Sequence, residues 1–399
     1  MPQHQGCADD SGRGAISEQR NLLASRRFGF IGMQIRAVTL NKVGEPVQVE
    51  TLELAQPVSG EVLVAMGAAG ICHSDQHAIS GHHGAEIPCV LGHEGAGEVV
   101  AVGPNVERVR VGDRVALNWI PSCGNCFYCS RNQKHLCSEG LQRIWSGYLQ
   151  DGTSRISRDG QPIMHYCGIS TWADHMVVSE ASCQPIPDSV PFEVAALIGC
   201  GVATGVGAAV HRGELSEGDS VAVVGAGGVG LSAIMGARMS GAQRIIAVDR
   251  QPDKAQLAMD LGATEFLVAD DGAINNVIDA TNGVGVDVVI EAVGNPGLQE
   301  SWLQAVRRGG TLVCVGIPNE SEATHILTAD FIRSEKSIKG SYYAAADSAK
   351  AIDDLCVAYL DGYLPIDKLI SKRVPITEVQ QGLDAMLAGT EGRTVINFD

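Results

Sequence analysis

The sequence predicts an α/β fold in which a doubly wound parallel sheet lies beside a second, mostly β domain. Residues 202–343 alternate short apolar runs with helical patterns, a rhythm typical of βαβ units. Residues 34–200 instead carry short strand-like runs that glycine and proline interrupt. A glycine-rich turn at 225–230 follows one apolar run and opens a helical pattern. These three observations indicate two regions of different architecture.

The predicted elements can be placed in order along the chain. Strand-like runs of the first region lie at 47–54, 61–70, 97–102 and 114–119. Segment 141–166 is rich in glycine, serine and arginine, and we interpret it as a long surface loop. In the second region, apolar runs and helical patterns alternate at 220–225, 229–241, 244–249, 253–261, 286–291, 297–306 and 311–316. Two amphipathic helices and a final strand are predicted at 348–360, 376–387 and 394–398.

Length and composition bound the number of domains and exclude some functions. The chain has 399 residues, and at about 150 residues per domain this predicts two or three domains. Its formal charge is −17, which disfavours binding to nucleic acid or to an anionic membrane. Apolar residues make up 45% of the chain, so a wholly disordered protein is excluded. We find no run of about 18 apolar residues and expect no membrane-spanning helix.

The first 32 residues differ from the rest of the chain. They are mostly polar, and the apolar stretch at 28–33 is too short for a secretory signal. Arg26-Arg27 leaves a twin-arginine signal as a minor alternative. We interpret residues 1–32 as a disordered extension, with Met33 as an alternative start, and expect a cytoplasmic protein.

The glycine-rich turn matches the fingerprint G-x-G-x-x-G of dinucleotide-binding sites. Its predicted cofactor-binding residues are Gly225, Gly227, Gly228, Val229 and Gly230. The first glycine allows a tight turn, the second lets a pyrophosphate approach the backbone, and the third lets helix and strand pack closely. The N-terminus of the following helix offers unpaired N–H groups to the anion. A glycine-rich turn without a ligand is the alternative.

Two residues at the end of the next predicted strand indicate which dinucleotide binds. Asp249 follows the turn by about 20 residues, where a carboxylate accepts hydrogen bonds from both ribose hydroxyls and repels a 2′-phosphate. This favours NAD over NADP. Arg250 keeps NADP open as an alternative, because an arginine can pair with a 2′-phosphate.

Four cysteines lie close together in the first region. They occupy a stretch of 15 residues with the pattern C-x-x-C-x-x-C-x₇-C, as Cys123, Cys126, Cys129 and Cys137. Four thiolates at this spacing can surround one Zn²⁺ as a closed structural site. An iron–sulfur cluster is the main alternative, and two local disulfides are a further one. The remaining cysteines outside the predicted ligand sets need no function.

Three further residues, Cys72, His93 and Cys200, are unremarkable one by one, and their spacing does not join them. The sequence motifs around them indicate that the three residues belong to one site. The pattern G-H-E-x-x-G-x₅-G-x-x-V is present as Gly92, His93, Glu94, Gly97, Gly103 and Val106. The motif Gly-x-Cys-x-Ser-Asp precedes this pattern, and the four cysteines, Gly-Cys-Gly and the glycine-rich turn follow it. In this order of motifs the chain resembles the zinc-dependent alcohol dehydrogenases of the medium-chain dehydrogenase/reductase superfamily, of the long-loop type. The resemblance spans about residues 34–399.

The resemblance implies a fold and a set of metals. It implies a Rossmann domain that binds NAD at 202–343 and a discontinuous GroES-like catalytic domain at 33–201 and 344–399. It also implies two zinc ions per chain: one structural, held by the four cysteines, and one catalytic, held by Cys72, His93 and Cys200 with an exchangeable oxygen in the fourth position.

The resemblance also implies catalytic and cofactor-binding roles. Asp75 would orient the His93 ring, Glu94 would approach the metal, and Ser74 would take the alcohol proton. His77 would be the outer end of the proton relay, with a solvated loop histidine as the alternative reading. The implied cofactor contacts are His73 and Arg393 at the phosphates, Lys254 near the adenosine ribose, and Thr204 and Val293 at the nicotinamide.

The implied activity is reversible hydride transfer between NAD and a primary alcohol–aldehyde pair, aromatic or aliphatic. A thiol-adduct formaldehyde dehydrogenase is the alternative. Residues 138–141 lack the arginine that glutathione-linked relatives place there, and 82–84 lack their acidic pair, which weakens this alternative. A non-catalytic scaffold is disfavoured because all three catalytic ligands are present. Candidate residues of the substrate pocket are Trp119, Trp145 and Ile317, with packing in the core as the alternative for each. We expect a homodimer, with a homotetramer as the alternative.

Overall fold

The computed structural model describes residues 32–82, 84–389 and 392–398. The extension predicted at 1–32 lies outside these residues apart from Gly32, as does His83 of the 82–84 stretch. The first strands are β1 (Met33–Leu40), β2 (Gln48–Leu54), β3 (Glu61–Gly70), β4 (Cys89–Val90), β5 (Gly95–Val102), β6 (Arg114–Leu117), β7 (Ile156–Arg158), β8 (Gln161–His165), β9 (His175–Ser179) and β10 (Cys183–Pro185). They are followed by β11 (Ser220–Val224), β12 (Arg244–Asp249), β13 (Glu265–Val268), β14 (Val286–Glu291), β15 (Val306–Cys314), β16 (Ser337–Gly340), β17 (Ile370–Pro375) and β18 (Arg393–Asn397).

The helices lie between these strands. They are α1 (His73–Ser80), α2 (Ser138–Ser146), α3 (Phe192–Arg212), α4 (Gly228–Met239), α5 (Ala255–Leu261), α6 (Ala273–Ala280), α7 (Pro296–Trp302), α8 (Thr328–Ser334), α9 (Ser348–Leu360) and α10 (Val379–Ala388). The predicted helix at 348–360 and the predicted strands at 61–70, 244–249 and 286–291 match the observed bounds.

Strands β11 to β16 form a six-stranded parallel sheet in the order β13-β12-β11-β14-β15-β16. The chain runs outward from β11 in one direction and then returns to its other side at β14. This is the doubly wound order, and it opens a crevice at the carboxyl ends of β11 and β14, where such sheets bind ligands. The predicted α/β fold class is confirmed.

The β-rich part contains a closed barrel and a mixed sheet. The barrel has the order β1-β2-β7-β8-β4, and the seven-stranded sheet has the order β10-β6-β5-β3-β18-β17, with β9 also on β3. Strand β18, near the end of the chain, pairs with the end of β3, with Val395 opposite Gly70. This register brings Arg393 and Thr394 beside Ile71, whose N–H donates to the Thr394 carbonyl at 3.1 Å.

The segment predicted as a long surface loop at 141–166 is largely ordered secondary structure, so that prediction was wrong. It contains most of α2 and the hairpin of β7 and β8, which completes the barrel. Its Arg155 is only 6% exposed and pairs with the equally buried Glu61, with Nη2 2.7 Å from Oε1. The buried ion pair explains how a polar segment packs against the core.

Helix α3 is the central buried helix. It contains two π-helical turns, Ile198–Val202 and Ala208–Arg212. A Cβ on Gly205 would lie 2.2 Å from the Val229 carbonyl oxygen, so α3 and α4 pack backbone to backbone. By length and composition alone α3, with mean hydropathy 1.7, could cross a membrane, as the buried core helix of a folded domain also could. Glycines and Thr204 interrupt the apolar residues of α3, but its mean hydropathy stays high. Of the 18-residue window with this hydropathy, 83% is buried inside the protein.

Candidate metal centre and dinucleotide site

The turn from β3 into α1 places the first predicted metal ligand. Cys72 is the residue that caps α1, and its N–H donates to Oδ2 of Asp75 at 3.0 Å. The other oxygen of this carboxylate lies 3.1 Å from Nδ1 of His93. Asp75 is fully buried, so both contacts are protected from water. One carboxylate therefore fixes the helix start that carries Cys72 and the ring of His93 together.

The structure brings Cys72, His93 and Cys200 into one cluster. Their possible ligand atoms, together with a carboxylate oxygen of Glu94, all lie within 4.8 Å of one another. Nε2 of His93 is buried and has no hydrogen-bond partner among the described residues. With Nδ1 held by Asp75, this nitrogen is left to bind a metal. Two sulfurs and one imidazole nitrogen fit an open catalytic zinc site.

Glu94 forms an ion pair with an arginine near the end of the chain. Its Oε2 accepts from Nη2 of Arg393, and its Oε1 accepts from the N–H of Gly201 at 3.2 Å. Burial raises the pKa of Glu94 to about 7, and the Arg393 guanidinium opposes that rise. A Cβ on Gly70 would lie 1.9 Å from Oε2 of Glu94, and one on Gly201 would lie 2.3 Å from Nη1 of Arg393. The two glycines beside the cysteine ligands thus make room for this ion pair.

Helix α1 also carries the predicted proton relay. The Oγ of Ser74 lies 3.8 Å from the Cys72 sulfur, at the edge of the metal cluster. His77 is half-buried one turn further along, with its ring centroid 5.5 Å from that of His82. His73 is exposed at the start of the helix. The structure therefore places Ser74 beside the centre, His77 half-buried one turn further along α1, and His73 at the surface.

Aromatic rings form one wall of the centre. The rings of Trp119 and Tyr166 meet the His93 ring edge-on, with centroids 6.1 and 5.8 Å away. Of the other predicted pocket residues, Trp145 is 41% exposed and shares a cavity of about 10 Å³ with Tyr166. That volume is about one water molecule. Ile317 is 57% exposed, so it lies at the surface of the described structure. No sequence pattern pointed to Tyr166 at the centre, because Tyr166 lies far along the chain from His93.

The glycine-rich turn joins β11 to α4 as predicted. Gly225 has a φ of +95°, which favours glycine, and a Cβ on Gly230 would lie 1.7 Å from the Gly225 carbonyl oxygen. A Cβ on Gly227 would meet nothing within 4 Å, so open space lies over its backbone. Asp249 accepts from the N–H of Ala226 at 2.7 Å, which ties the end of β12 to the turn. The turn thus has the cradle that a pyrophosphate requires.

The remaining predicted cofactor residues lie around this turn. Lys254 is paired with Asp249, with Nζ 3.0 Å from Oδ2, whereas Arg250 is exposed. Thr204 donates its hydroxyl proton to the Cys200 carbonyl at 2.8 Å, and Val293 is 53% exposed. A Cβ on Gly225 would lie 2.7 Å from Val293, so Val293 lies against the turn.

Arg393 links the two sites. A Cβ on Gly228 would lie 2.4 Å from Cδ of Arg393, and the guanidinium end of the same side chain reaches Glu94 and donates to the Ile71 carbonyl at 3.0 Å. One arginine side chain therefore spans the distance from the N-terminus of α4 to the metal cluster.

The four clustered cysteines form a second site. Their sulfur atoms lie within 4.8 Å of one another, and the described cysteines are free thiols, so local disulfides are absent from this part of the chain. The sulfur of Cys137 accepts from the N–H groups of Cys123 at 3.2 Å and Gly140 at 3.4 Å. The N–H of Cys129 lowers the pKa of Cys126 to about 6, which favours the thiolate that binds metal. Four sulfurs leave no place for a substrate, as in a closed structural zinc site.

Comparison with known proteins identifies the family. Residues 58–188 match the alcohol dehydrogenase GroES-like domain, and residues 228–356 match the zinc-binding dehydrogenase family. An NDMA-dependent alcohol dehydrogenase from Amycolatopsis methanolica is 36% identical over 367 residues, covering 91% of this chain and 99% of that protein. The chain belongs to the zinc-dependent alcohol dehydrogenases of the medium-chain dehydrogenase/reductase superfamily.

Solved structures of this family share the fold. An alcohol dehydrogenase zinc-binding domain protein from Burkholderia ambifaria has a TM-score of 0.87 at 30% identity, covering 92% of this chain and all of that one. Benzyl alcohol dehydrogenase from Acinetobacter calcoaceticus has a TM-score of 0.86 at 29% identity, covering 92% of this chain and all of that one. The predicted family is confirmed, and the chain is an oxidoreductase for small alcohols or aldehydes.

Proposed function

We propose that this alcohol dehydrogenase catalyses reversible hydride transfer between a primary alcohol–aldehyde pair and NAD. The proposal depends on the position of Arg393. Its side chain lies against Gly228 of the dinucleotide turn and pairs with Glu94 of the metal cluster. The metal centre and the cofactor turn therefore adjoin, as hydride transfer from a metal-held substrate to a nicotinamide requires.

The protein's own residues prepare the centre for zinc. Cys72, His93 and Cys200 would hold the ion, which when bound polarises the substrate oxygen as a Lewis acid and favours loss of the alcohol proton. The Oδ1 of Asp75 accepts a hydrogen bond from Nδ1–H of His93 and so keeps Nε2 as the ligating nitrogen. Glu94, already paired with Arg393, adds a carboxylate at the edge of the cluster without leaving an unpaired charge.

The alcohol proton needs a path to solvent. The Ser74 hydroxyl, next to the Cys72 sulfur, can accept the proton and pass its own proton outward. His77 lies one turn further along α1, and histidine is the side chain best suited to exchange protons near neutral pH. We therefore assign Ser74 and His77 to the inner and outer ends of the relay.

The dinucleotide would lie on the glycine turn. The N–H groups at the start of α4 would bind its pyrophosphate, and Asp249 would offer a carboxylate to the ribose hydroxyls. NAD supplies the hydride acceptor. Because one relative is named for its dependence on NDMA, the oxidant of the overall reaction needs its own test.

Aromatic rings favour an alcohol with an apolar or aromatic group. Trp119 and Tyr166 meet the ring of His93, a predicted metal ligand, edge-on. The likeness to a benzyl alcohol dehydrogenase, at 29% identity, supports the same class of substrate. No contact in the described residues specifically favours a thiol adduct.

A substrate panel tests the proposal. Purified protein is given ethanol, hexanol, benzyl alcohol or formaldehyde, each with NAD or NDMA as the oxidant and with or without glutathione. We expect benzyl alcohol and hexanol to be oxidised without thiol, with NAD, NDMA or both. Turnover of formaldehyde alone, and only with glutathione, would support the thiol-adduct alternative. Absence of turnover with every alcohol and both oxidants would overturn the proposal.

A further inference from the structure

A buried tyrosine outside the predicted site bonds to the backbone beside a predicted metal ligand. Tyr343 is 2% exposed, and its phenol donates to the carbonyl oxygen of Gly199 at 2.7 Å. Gly199 precedes Cys200 within the π-helical turn Ile198–Val202. Such turns widen a helix locally and are frequent at functional sites. The phenol therefore holds the same turn that carries the Cys200 sulfur.

The ring of Tyr343 reaches a second ligand through Trp119. The centroids of Tyr343 and Trp119 are 4.7 Å apart, and those of Trp119 and His93 are 6.1 Å apart with the rings edge-on. Trp119 is only 7% exposed, so the three rings pack inside the protein. A shift of the Tyr343 ring would be passed to the His93 ring, because a close-packed core leaves little room to absorb it.

Asn118 holds the phenol from another direction. Its Oδ1 lies 3.2 Å from the Tyr343 hydroxyl and accepts from the N–H of Ile120 at 3.1 Å. Its amide nitrogen donates to the Ser348 hydroxyl at 2.9 Å. The phenol has one proton, and the shorter contact, to Gly199, is its main acceptor. Because Asn118, Tyr343 and Ser348 are all buried, water does not compete for these hydrogen bonds.

The backbone at Tyr343 is strained. Its φ is +52°, and that of Ala345 is +53°, in the left-handed region that residues with a side chain seldom adopt. Strain of this kind persists where the surrounding contacts fix it, and it often occurs at functional sites. Here the strained residue is Tyr343, whose ring packs against Trp119 beside the metal centre.

We propose that Tyr343 is a positioning residue for the catalytic metal centre. Its hydroxyl fixes Cys200 through the Gly199 carbonyl, and its ring fixes His93 through Trp119. Two of the three predicted ligands thus depend on one side chain that supplies no ligand atom of its own. This inference rests on the proposed zinc site formed by Cys72, His93 and Cys200.

The test removes the hydroxyl and keeps the ring. Zinc-loaded full-length protein is mixed with a chromogenic chelator, and zinc release is followed over time in wild type, Tyr343→Phe and Cys72→Ser. We expect two release phases in wild type and the loss of one in Cys72→Ser, which assigns the open site. Tyr343→Phe should speed that phase about tenfold or more, since hydrogen bonds behind metal ligands typically change affinity by about 10- to 100-fold.

Two controls accompany this measurement. The four-cysteine phase should keep its wild-type rate in Tyr343→Phe, which also shows that the variant is folded. Tyr359→Phe, at a partly buried tyrosine of α9, should leave both phases unchanged. Cobalt(II) in place of zinc gives a second readout, because the sulfur-to-cobalt absorption of the open site should shift in Tyr343→Phe and not in Tyr359→Phe.

The outcomes separate this inference from the proposed metal site. Wild-type release rates and cobalt spectrum in Tyr343→Phe would overturn the inference, even if the thermal midpoint fell, because the tyrosine would then only stabilise the fold. A wild-type protein that holds a single zinc in the four-cysteine site would instead overturn the metal site. If Tyr343→Phe fails to fold, Trp119→Phe takes its place, and unchanged open-site release in that variant also overturns the inference.

Discussion

Buried histidines in this chain have different roles according to their partners. The Nδ1 of His93 faces the Asp75 carboxylate, and its Nε2 lacks a partner among the described residues. The Nε2 of His165 instead accepts from the backbone N–H of Arg155 at 3.2 Å. Burial, reinforced by the Arg155 guanidinium, lowers the pKa of His165 to about 3. His165 is therefore a neutral packing residue, whereas His93 keeps one ring nitrogen for the proposed metal.

The lowered pKa of His165 predicts a pH-dependent loss of stability. Below pH 6.5 the unfolded chain binds a proton at His165 that the folded chain refuses until about pH 3, so stability falls as the pH falls through this window. His165→Gln keeps an acceptor for the Arg155 N–H and removes the titration. Between pH 7 and pH 5 we expect wild type to lose up to about 2 kcal/mol more than the variant. Chemical denaturation at the two pH values measures this, and equal losses would contradict it.

The sequence could predict one metal site from spacing alone but not the other. The four cysteines lie within one loop, so their spacing already implies a shared ion. Cys72, His93 and Cys200 come from three separate elements, and only the family resemblance joined them. Neither spacing nor resemblance pointed to Tyr343, because its contact with Gly199 depends on how two distant segments pack.

Predictions of strands and helices were most accurate where a hydrophobic pattern was regular. The parallel sheet follows this rule, because strands covered on both faces read as continuous apolar runs. The segment 141–166 broke it, because β7 is only three residues long and the buried Arg155 reads as a surface residue. A charge buried with its partner hides a packed element from any argument based on composition.

The Arg155–Glu61 pair should be necessary for the barrel. Arg155→Met leaves Glu61 buried without its partner, which typically costs about 3–5 kcal/mol. Arg373→Met removes an arginine that is 52% exposed and paired with Glu193, and should cost about 1 kcal/mol or less. Denaturant midpoints of the two variants give the comparison. Similar small shifts in both would show that the hairpin does not depend on the buried pair.

The glycine turn predicts a separation of stability from cofactor binding. Because a Cβ on Gly227 meets nothing within 4 Å, Gly227→Ala should fold normally but crowd the pyrophosphate and weaken NAD binding about tenfold. Gly230→Ala should destabilise the fold, because its Cβ would collide with the Gly225 carbonyl. Calorimetric titration with NAD and thermal unfolding measure the two effects. Gly272→Ala, at the start of α6, is the control, and wild-type NAD affinity in Gly227→Ala would contradict the assignment.

In the whole molecule, the candidate metal centre is assembled where the end of the chain returns to the seven-stranded sheet. Strand β18 pairs with β3 near the end of the chain, and this register carries Arg393 to Glu94 on one side and to Gly228 on the other. Helix α3 adds Cys200 from one side while it packs against α4 of the parallel sheet. The metal centre therefore depends on elements from the beginning, middle and end of the sequence, and no single segment contains it.

The central claim is that the open three-ligand centre performs the chemistry. It is tested most directly by measuring zinc content and alcohol-dependent turnover in the same preparations of wild type, Cys72→Ser and the control Cys356→Ser. We expect about two zinc ions per chain in wild type and control, about one in Cys72→Ser, and turnover lost in Cys72→Ser alone. Turnover that survives in Cys72→Ser, or a wild-type enzyme active with a single zinc, would contradict it.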